Sequence, residues 1–280
     1  MLSNQIKTVL LLGVLTGLLL LVGGLVGGQG GLAIALILTI AMNFGAYWFS
    51  DKMVLAMYRA KEIKDKDSKL YKLVREVAEK AEIPMPKVYT IPSEQPNAFA
   101  TGRGPKHAAV AATEGIMKLL NERELKGVFA HEISHVKNRD VLIATIAATI
   151  AGVISYLAYF ARFGAMFGGS RDRDGGNGFE LLALAIITPI IAMLIQLAIS
   201  RSREYQADES GAKLLKDSAS LSSALEKLDA TSKRIPMRIG NQATASLFIV
   251  NPFSGRAMVS LLSTHPSLDE RIRRLKSLSF

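Results

Sequence analysis

The sequence predicts an α+β domain mounted on four transmembrane helices, with helix as the dominant element, and three observations carry that prediction. From Thr8 to Ser50 there are 43 residues without a charge, about twice what one helix needs to cross a hydrocarbon core of roughly 30 Å. Two further uncharged runs, Val141–Ala161 and Leu181–Ser200, are 21 and 20 residues long. Between and after them lie charged stretches with helical spacing and three short β-like runs. A mean hydropathy of +0.25 beside a net charge of +10 fits this segregation and excludes a single water-soluble globule.

In chain order, residues 1–50 read as a transmembrane hairpin. Gly27-Gly28-Gln29-Gly30-Gly31 supplies its turn, Val9–Val26 and Leu32–Phe49 its spans, and Tyr47 with Trp48 an interfacial belt. A cleaved signal peptide is the competing account of this end, but its apolar core is shorter and a small-residue cleavage site precedes a polar chain. Residues 51–83 have helical spacing with Leu70, Leu73, Val74, Val77 and Ala78 on one face, stopped at Ile83-Pro84-Met85-Pro86. Lys87–Ile91, Asn97–Gly102 and His107–Thr113 read as three strands of a small antiparallel sheet. Thr113 and Glu114 open a helix through Leu120. Asn121 and Glu124 then form a capping-box start for a helix whose apolar positions are Leu125, Val128, Phe129 and Ile133. Residues 141–200 form the second hairpin, kinked at Pro189, with Thr188 and Gln196 facing protein. Its 162–180 loop, rich in Gly and mixed charge, reads as poorly ordered. The polar domain is thus split into 51–140 and 201–280.

Four spans place both termini and both polar segments on one side. Lys52, Arg59, Lys61, Lys64, Lys137, Arg139, Arg201 and Arg203 flank the membrane there, whereas the Gly27–Gly31 turn has no basic residue and the 162–180 loop balances three Arg with acids. By the positive-inside rule the polar domain is cytoplasmic. The basic balance is therefore membrane-surface chemistry, and no nucleic-acid partner is expected. With no cysteine, disulfides and thiolate metal ligands are excluded.

The chemistry centres on His131-Glu132-Ile133-Ser134-His135. Residues i and i+4 share a helix face, so the two imidazoles project about one turn apart, as two ligands of one tetrahedral zinc do. Glu132 beside them suits the base that takes a proton from a metal-activated water. A catalytic site needs a third protein ligand. His135 lies six residues before the third span, about 9 Å along a helix, and Glu204 lies four residues after the fourth, about 6 Å. The second hairpin therefore returns Glu204 to the depth of the histidines. Asp208, one turn on, reads either as acceptor for the other ring N–H of a ligating histidine or as part of a solvated face.

These residues, with Arg203-Glu-Tyr-Gln-Ala-Asp208 after two spans, Asn97-Ala-Phe-Ala and Thr264-His-Pro-Ser, resemble the HtpX-type membrane-bound zinc metallopeptidases, related to CAAX-prenyl endopeptidases. The likeness covers nearly the whole chain and shows no departure at the metal residues. It implies a gluzincin-like α+β catalytic domain, one zinc ion per chain, and an endopeptidase of the bacterial inner membrane acting in membrane-protein quality control under stress. Misfolded membrane proteins and unfolded proteins would be its substrates and other quality-control proteases its possible partners. The resemblance also places Asn97, Ala98, Phe99 and Ala100 on a substrate-binding edge strand, where the plain alternative is a core strand carrying Phe99 inward.

His265, before Pro266 and the last helix, reads either as a donor to the oxyanion of a tetrahedral intermediate or as a surface cap. Arg271 is the weaker candidate for the same role, and His107 has no assigned one. Two rival readings stand beside the peptidase: a membrane scaffold with a structural zinc, and a zinc hydrolase of lipid or other non-peptide esters.

Overall fold

The computed structural model describes residues 4–146, 201–232, 247–249 and 266–280. Most of the second expected hairpin, its 162–180 loop and His265 lie outside these residues.

Helical hydrogen bonding runs through Asn4–Met57 (α1), past the expected boundary at residue 50. It is not a straight rod. Asn43 Nδ2 donates to Thr16 Oγ1 at 2.8 Å across 27 residues, a separation of about 40 Å on a straight helix. The chain must therefore reverse between them, and Gly28, at φ +56°, supplies the left-handed residue within the expected glycine turn. The returning arm, Gly28–Gly45, has a mean hydropathy of 1.4 with 12% of it buried. Among the described residues it is the one helical stretch found long and apolar enough to cross a membrane.

One helix over 51–83 is not what forms. The chain leaves α1 through Arg59 at φ +53°, pairs Lys61–Glu62 (β1) with the sheet, and restarts at Ser68 for α2, Lys69–Lys80. The apolar repeat explains the restart: it begins only at Leu70, and its five core positions are all buried. The charged stretch before it carries Ile63 alone as an apolar side chain, and the Ile63 N–H is bonded to the Val88 carbonyl at 2.8 Å.

The sheet also departs from expectation. It has four strands in the order β1-β2-β4-β3, where β2 is Lys87–Ile91, β3 Ala98–Gly102 and β4 Ala108–Thr113. β1 and β2 run antiparallel, as do β3 and β4, but β2 and β4 run parallel. The reason is topological. The Pro92–Pro96 link carries the chain past the neighbouring position, so β3 takes the outer edge, and the tight return through Pro105–His107 drops β4 between β2 and β3.

The all-buried β4, Ala-Ala-Val-Ala-Ala-Thr, follows from that central place. Ala108, Val110 and Ala112 join the larger core with α2 and α4, while Ala109 and Ala111 face Val54, Tyr58, Ile91, Phe99 and Phe248 on the other side. Small residues let both layers approach the strand closely.

Glu114–Leu119 (α3) is capped by Thr113. Glu122–Lys137 (α4) starts at the full Asn121/Glu124 capping box and ends at Asn138. After Arg139, at φ +58°, a further helix (α5) is described over residues 140–146. Arg201–Leu215 (α6) and Ala219–Ser232 (α7) pack on α4. Leu268–Lys276 (α8), capped by Ser267, buries Arg271 and Leu275, with Ile272 and Leu278 half-buried against the same core.

Candidate metal centre on helices α4 and α6

The capping box fixes where α4 begins, and that phase turns His131, Glu132 and Ser134 into the protein at 1%, 4% and 5% exposure. α6 lies across it at unusually short range. A Cβ on Gly211 would stand 2.9 Å from the His131 backbone nitrogen and 3.0 Å from the Ala130 carbonyl carbon. Only glycine permits this approach, and it brings the first turns of α6 over the two histidines.

The result is a triangle of donor atoms. His131 Nε2 and His135 Nε2 are 3.2 Å apart, His135 Nε2 and Glu204 Oε1 3.4 Å, and His131 Nε2 and Glu204 Oε2 3.8 Å. Ligands about 2.0–2.1 Å from a tetrahedral ion are separated by roughly 3.3–3.4 Å, so the three residues have the spacing of a coordination sphere. The donor set fits as well: two imidazoles and one carboxylate leave a fourth position for a non-protein ligand. Among the described residues, His131, His135 and Glu204 form the one group of this kind that can hold a metal ion.

Each imidazole is held from behind. His131 Nδ1 is 2.8 Å from Asp208 Oδ1, which fixes the ring with Nε2 toward the centre. Arg271, fully buried, grips Asp208 through Nε at 2.8 Å and Nη2 at 2.7 Å, and its Nη1 donates to the Ile249 carbonyl at 3.1 Å and lies 3.4 Å from Glu204. The guanidinium thus braces Asp208, and both its arms are spent within the protein. On the other ligand, His135 Nδ1 is 3.3 Å from Asp140 Oδ2.

These contacts set the protonation of the site. Burial opposes charge on His131 and pushes its pKa down. Burial works the same way on His135, but the Asp140 and Glu204 hydrogen bonds outweigh it and hold the pKa up at about 10. Burial would raise Asp208, yet Arg271 and His131 keep it below the ordinary carboxylate range. Glu132 is pushed up to about 8 by burial, against the pull of His135.

The Glu132 carboxylate reaches the sheet. Its Oε2 accepts the Ala100 N–H at 2.9 Å, from the side of β3 that faces away from β4. The outward groups of Ala98 are also engaged: Asn97 Oδ1 accepts the Ala98 N–H at 3.1 Å, and the Ala98 carbonyl accepts the Ile249 N–H at 3.3 Å. β3 is the edge strand of the sheet and also a buried one, since Phe99 is fully covered, its ring centroid 5.2 Å from Phe248 and 5.7 Å from Tyr58.

Asp140, Gly211 and the bracing use of Arg271 are absent from the sequence reading. A signal existed for Asp140 in its place just beyond the helix end, five residues after His135. Gly211 inside an otherwise regular helix was a further hint of close packing.

Residues 64–279 match peptidase family M48. Curated relatives described as "Protease HtpX homolog" include those of Syntrophobacter fumaroxidans, 53% identical over 99% of this chain and 100% of the relative, and Syntrophotalea carbinolica, 55% identical over 99% of both. That of Burkholderia mallei is 50% identical over 99% of this chain and 97% of the relative. The crystal structure of S. mikatae Ste24p superposes with a TM-score of 0.52 at 18% identity, over 97% of this chain and 65% of that one, a likeness of fold. With the matched region spanning the donor triangle and both helices that build it, the chain belongs to peptidase family M48 and is a metalloprotease of the HtpX type.

Proposed function

We propose that the chain is a membrane-embedded zinc endopeptidase that cleaves misfolded or damaged membrane proteins at the cytoplasmic face of the bacterial inner membrane, as part of stress-linked quality control. The donor triangle of His131, His135 and Glu204 carries the reading. In it these three residues hold one zinc ion, Asp208 orients His131, and Glu132 is the catalytic base. The apolar 8–50 and 141–200 segments are its four-span anchor, with the positive residues beside them setting the orientation. Unfolded soluble proteins reach the site when extended, and cooperation with other quality-control proteases belongs to the same reading.

Zinc bound there supplies Lewis-acid polarisation of the scissile carbonyl and acidifies a water. The remaining work falls to the chain. Glu132 takes the proton of the attacking water and passes it to the leaving amine nitrogen, the role its place next to His131 on α4 suits. Asn97, Ala98, Phe99 and Ala100 form the strand beside which the substrate backbone lies. With the Ala98 carbonyl and Ala100 N–H already engaged, pairing falls to the Ala100 carbonyl and the Gly102 end of β3. His265 is the assigned oxyanion donor.

Replacing Glu132 with Gln tests the assignment. The variant should retain stoichiometric zinc and lose peptide cleavage by about 10²–10⁴-fold, whereas His131→Ala should lose both. A Glu132→Gln preparation, free of contaminants and replete with metal, that still degraded casein would overturn the mechanism.

A further inference from the structure

Asp140 is the first residue of α5, and its side chain is 8% exposed. The chain gets it there by a left-handed step at Arg139, which separates α4 from α5 and is followed at once by Asp140, whose Oδ2 lies 3.3 Å from His135 Nδ1. This copies the arrangement on the other histidine with different elements. His131 is backed by Asp208 and Arg271, from α6 and α8. His135 is backed by Asp140 of α5, whose charge in turn favours the cation of the buried Arg203 of α6. The second support has more to do. The His131 side chain is 1% exposed and held by packing all round, whereas that of His135 is 15% exposed.

Arg203 and Asp140 bracket residues 141–202, the stretch the sequence reads as a membrane hairpin. Five residues into α5, Thr145 Oγ1 lies 3.1 Å from Thr101 Oγ1 on β3. The helix that enters that stretch thus touches a ligand histidine and the edge strand within two turns.

We propose that Asp140 is a positioning residue of the metal centre: it accepts the Nδ1–H of His135, fixes Nε2 as the metal-binding atom, and ties that ligand to the base of the 141–202 segment. This rests on His135 being a ligand. A histidine so held is the usual partner of a bound metal, and loss of the acceptor weakens metal binding by about 10–100-fold.

The test uses the full chain in detergent, with zinc affinity read by chelator competition and ligand geometry by the visible absorption of the cobalt(II)-substituted protein. Asp140→Ser and Asp140→Asn both suit a helix start, but the serine hydroxyl is too short to reach Nδ1 while the asparagine oxygen is not. Asp140→Ser should bind zinc about 10–100-fold more weakly and shift the cobalt bands, and Asp140→Asn should stay within a few-fold of the parent with bands unchanged. If Asp140→Ser binds zinc as the parent does with an unaltered cobalt spectrum, the proposal is wrong. Equal loss in both variants would overturn it as well, since the amide retains the acceptor. His135→Ala run in parallel separates the layers: parent-like affinity there removes the ligand reading and this proposal together, whereas lost affinity in His135→Ala with none lost in Asp140→Ser removes only the role of Asp140.

Discussion

The helix that carries the site and the helix that leads the chain handle water in opposite ways. α4 buries Glu124, His131 and Glu132, half-buries His135, and gives each of the four a partner: Glu124 takes the Ser223 hydroxyl at 2.7 Å and the Lys227 ammonium at 2.9 Å, and His131, Glu132 and His135 are bonded as described above. The returning arm of α1 does the reverse, with Ile34, Ile37, Leu38 and Ile40 exposed by 61–68%. A water-soluble protein hides such side chains and shows its charges. The contrast fits the proposed anchor: the Gly28–Gly45 arm leaves its apolar side chains for lipid, while the charges of the site are finished by one another.

Breaking the buried side of this contrast should cost most. Arg271→Leu strands Asp208 in the interior without its cation, and unpairing a buried ion costs about 3–5 kcal/mol; a thermal melt of the full chain in detergent should show the loss. Arg274, on the same helix but half-exposed and paired with Glu270, serves as the control, and Arg274→Ala should cost under about 1 kcal/mol.

The apolar side comes next. Ile37→Lys places a charge mid-way along the Gly28–Gly45 arm, at a cost of about 2.5–3.5 kcal/mol for a spanning helix. Its readout is the fraction of protein recovered in the membrane after expression, and unchanged recovery would argue that this arm lies elsewhere.

A smaller effect sharpens the comparison by pH. His135 in the metal-free site is held protonated, with its pKa raised to about 10. A ligand must lose that proton, so metal affinity rises with pH until about 10, close to tenfold per unit. The same shift works on stability with the opposite sense. A pKa raised above the unfolded value contributes stability that is present below the unfolded pKa, near 6.5, and lost as pH rises through the folded one. Chelator competition between pH 6 and 8.5 should show affinity climbing while the metal-free melting temperature falls. Smallest of all, Lys213→Ala breaks only the exposed pair with Glu209 on α6 and should move stability by less than about 0.5 kcal/mol.

How much of this was legible in the sequence depends on what fixed each feature. The start of α4 was legible, because the Asn121/Glu124 box and the apolar spacing are local; its end was not, since the helix expected to run from His135 into the third span stops at Lys137 and restarts after Arg139. The meeting of Glu204 with the histidines was legible too, since the sequence reads the gap between them as two spans and a loop that would return Glu204 to their depth. The strand order was not: β4 between β2 and β3 is a choice of neighbours, and nothing local in Ala108–Thr113 distinguishes a middle strand reached by a hairpin from one reached by a meander. Arg271 was singled out only as a weaker oxyanion donor; its bracing of Asp208 was not legible, because only the phase of α8 against α6 decides which of Arg271, Arg273 and Arg274 is buried. Asp140 read as one more polar residue in Lys137-Asn-Arg-Asp140, because a single left-handed residue at Arg139 redirects it and no propensity announces that turn.

The contact between Ala100 and Glu132 has a genetic consequence. The donor there is a main-chain N–H, common to every residue type but one, so a change of side chain at position 100 can alter the bulk beside the base without deleting the bond that holds it. Proline alone removes the donor. Random substitution at this codon should therefore tolerate small residues, penalise large ones by degree, and single out proline as the replacement that unties the base from the strand.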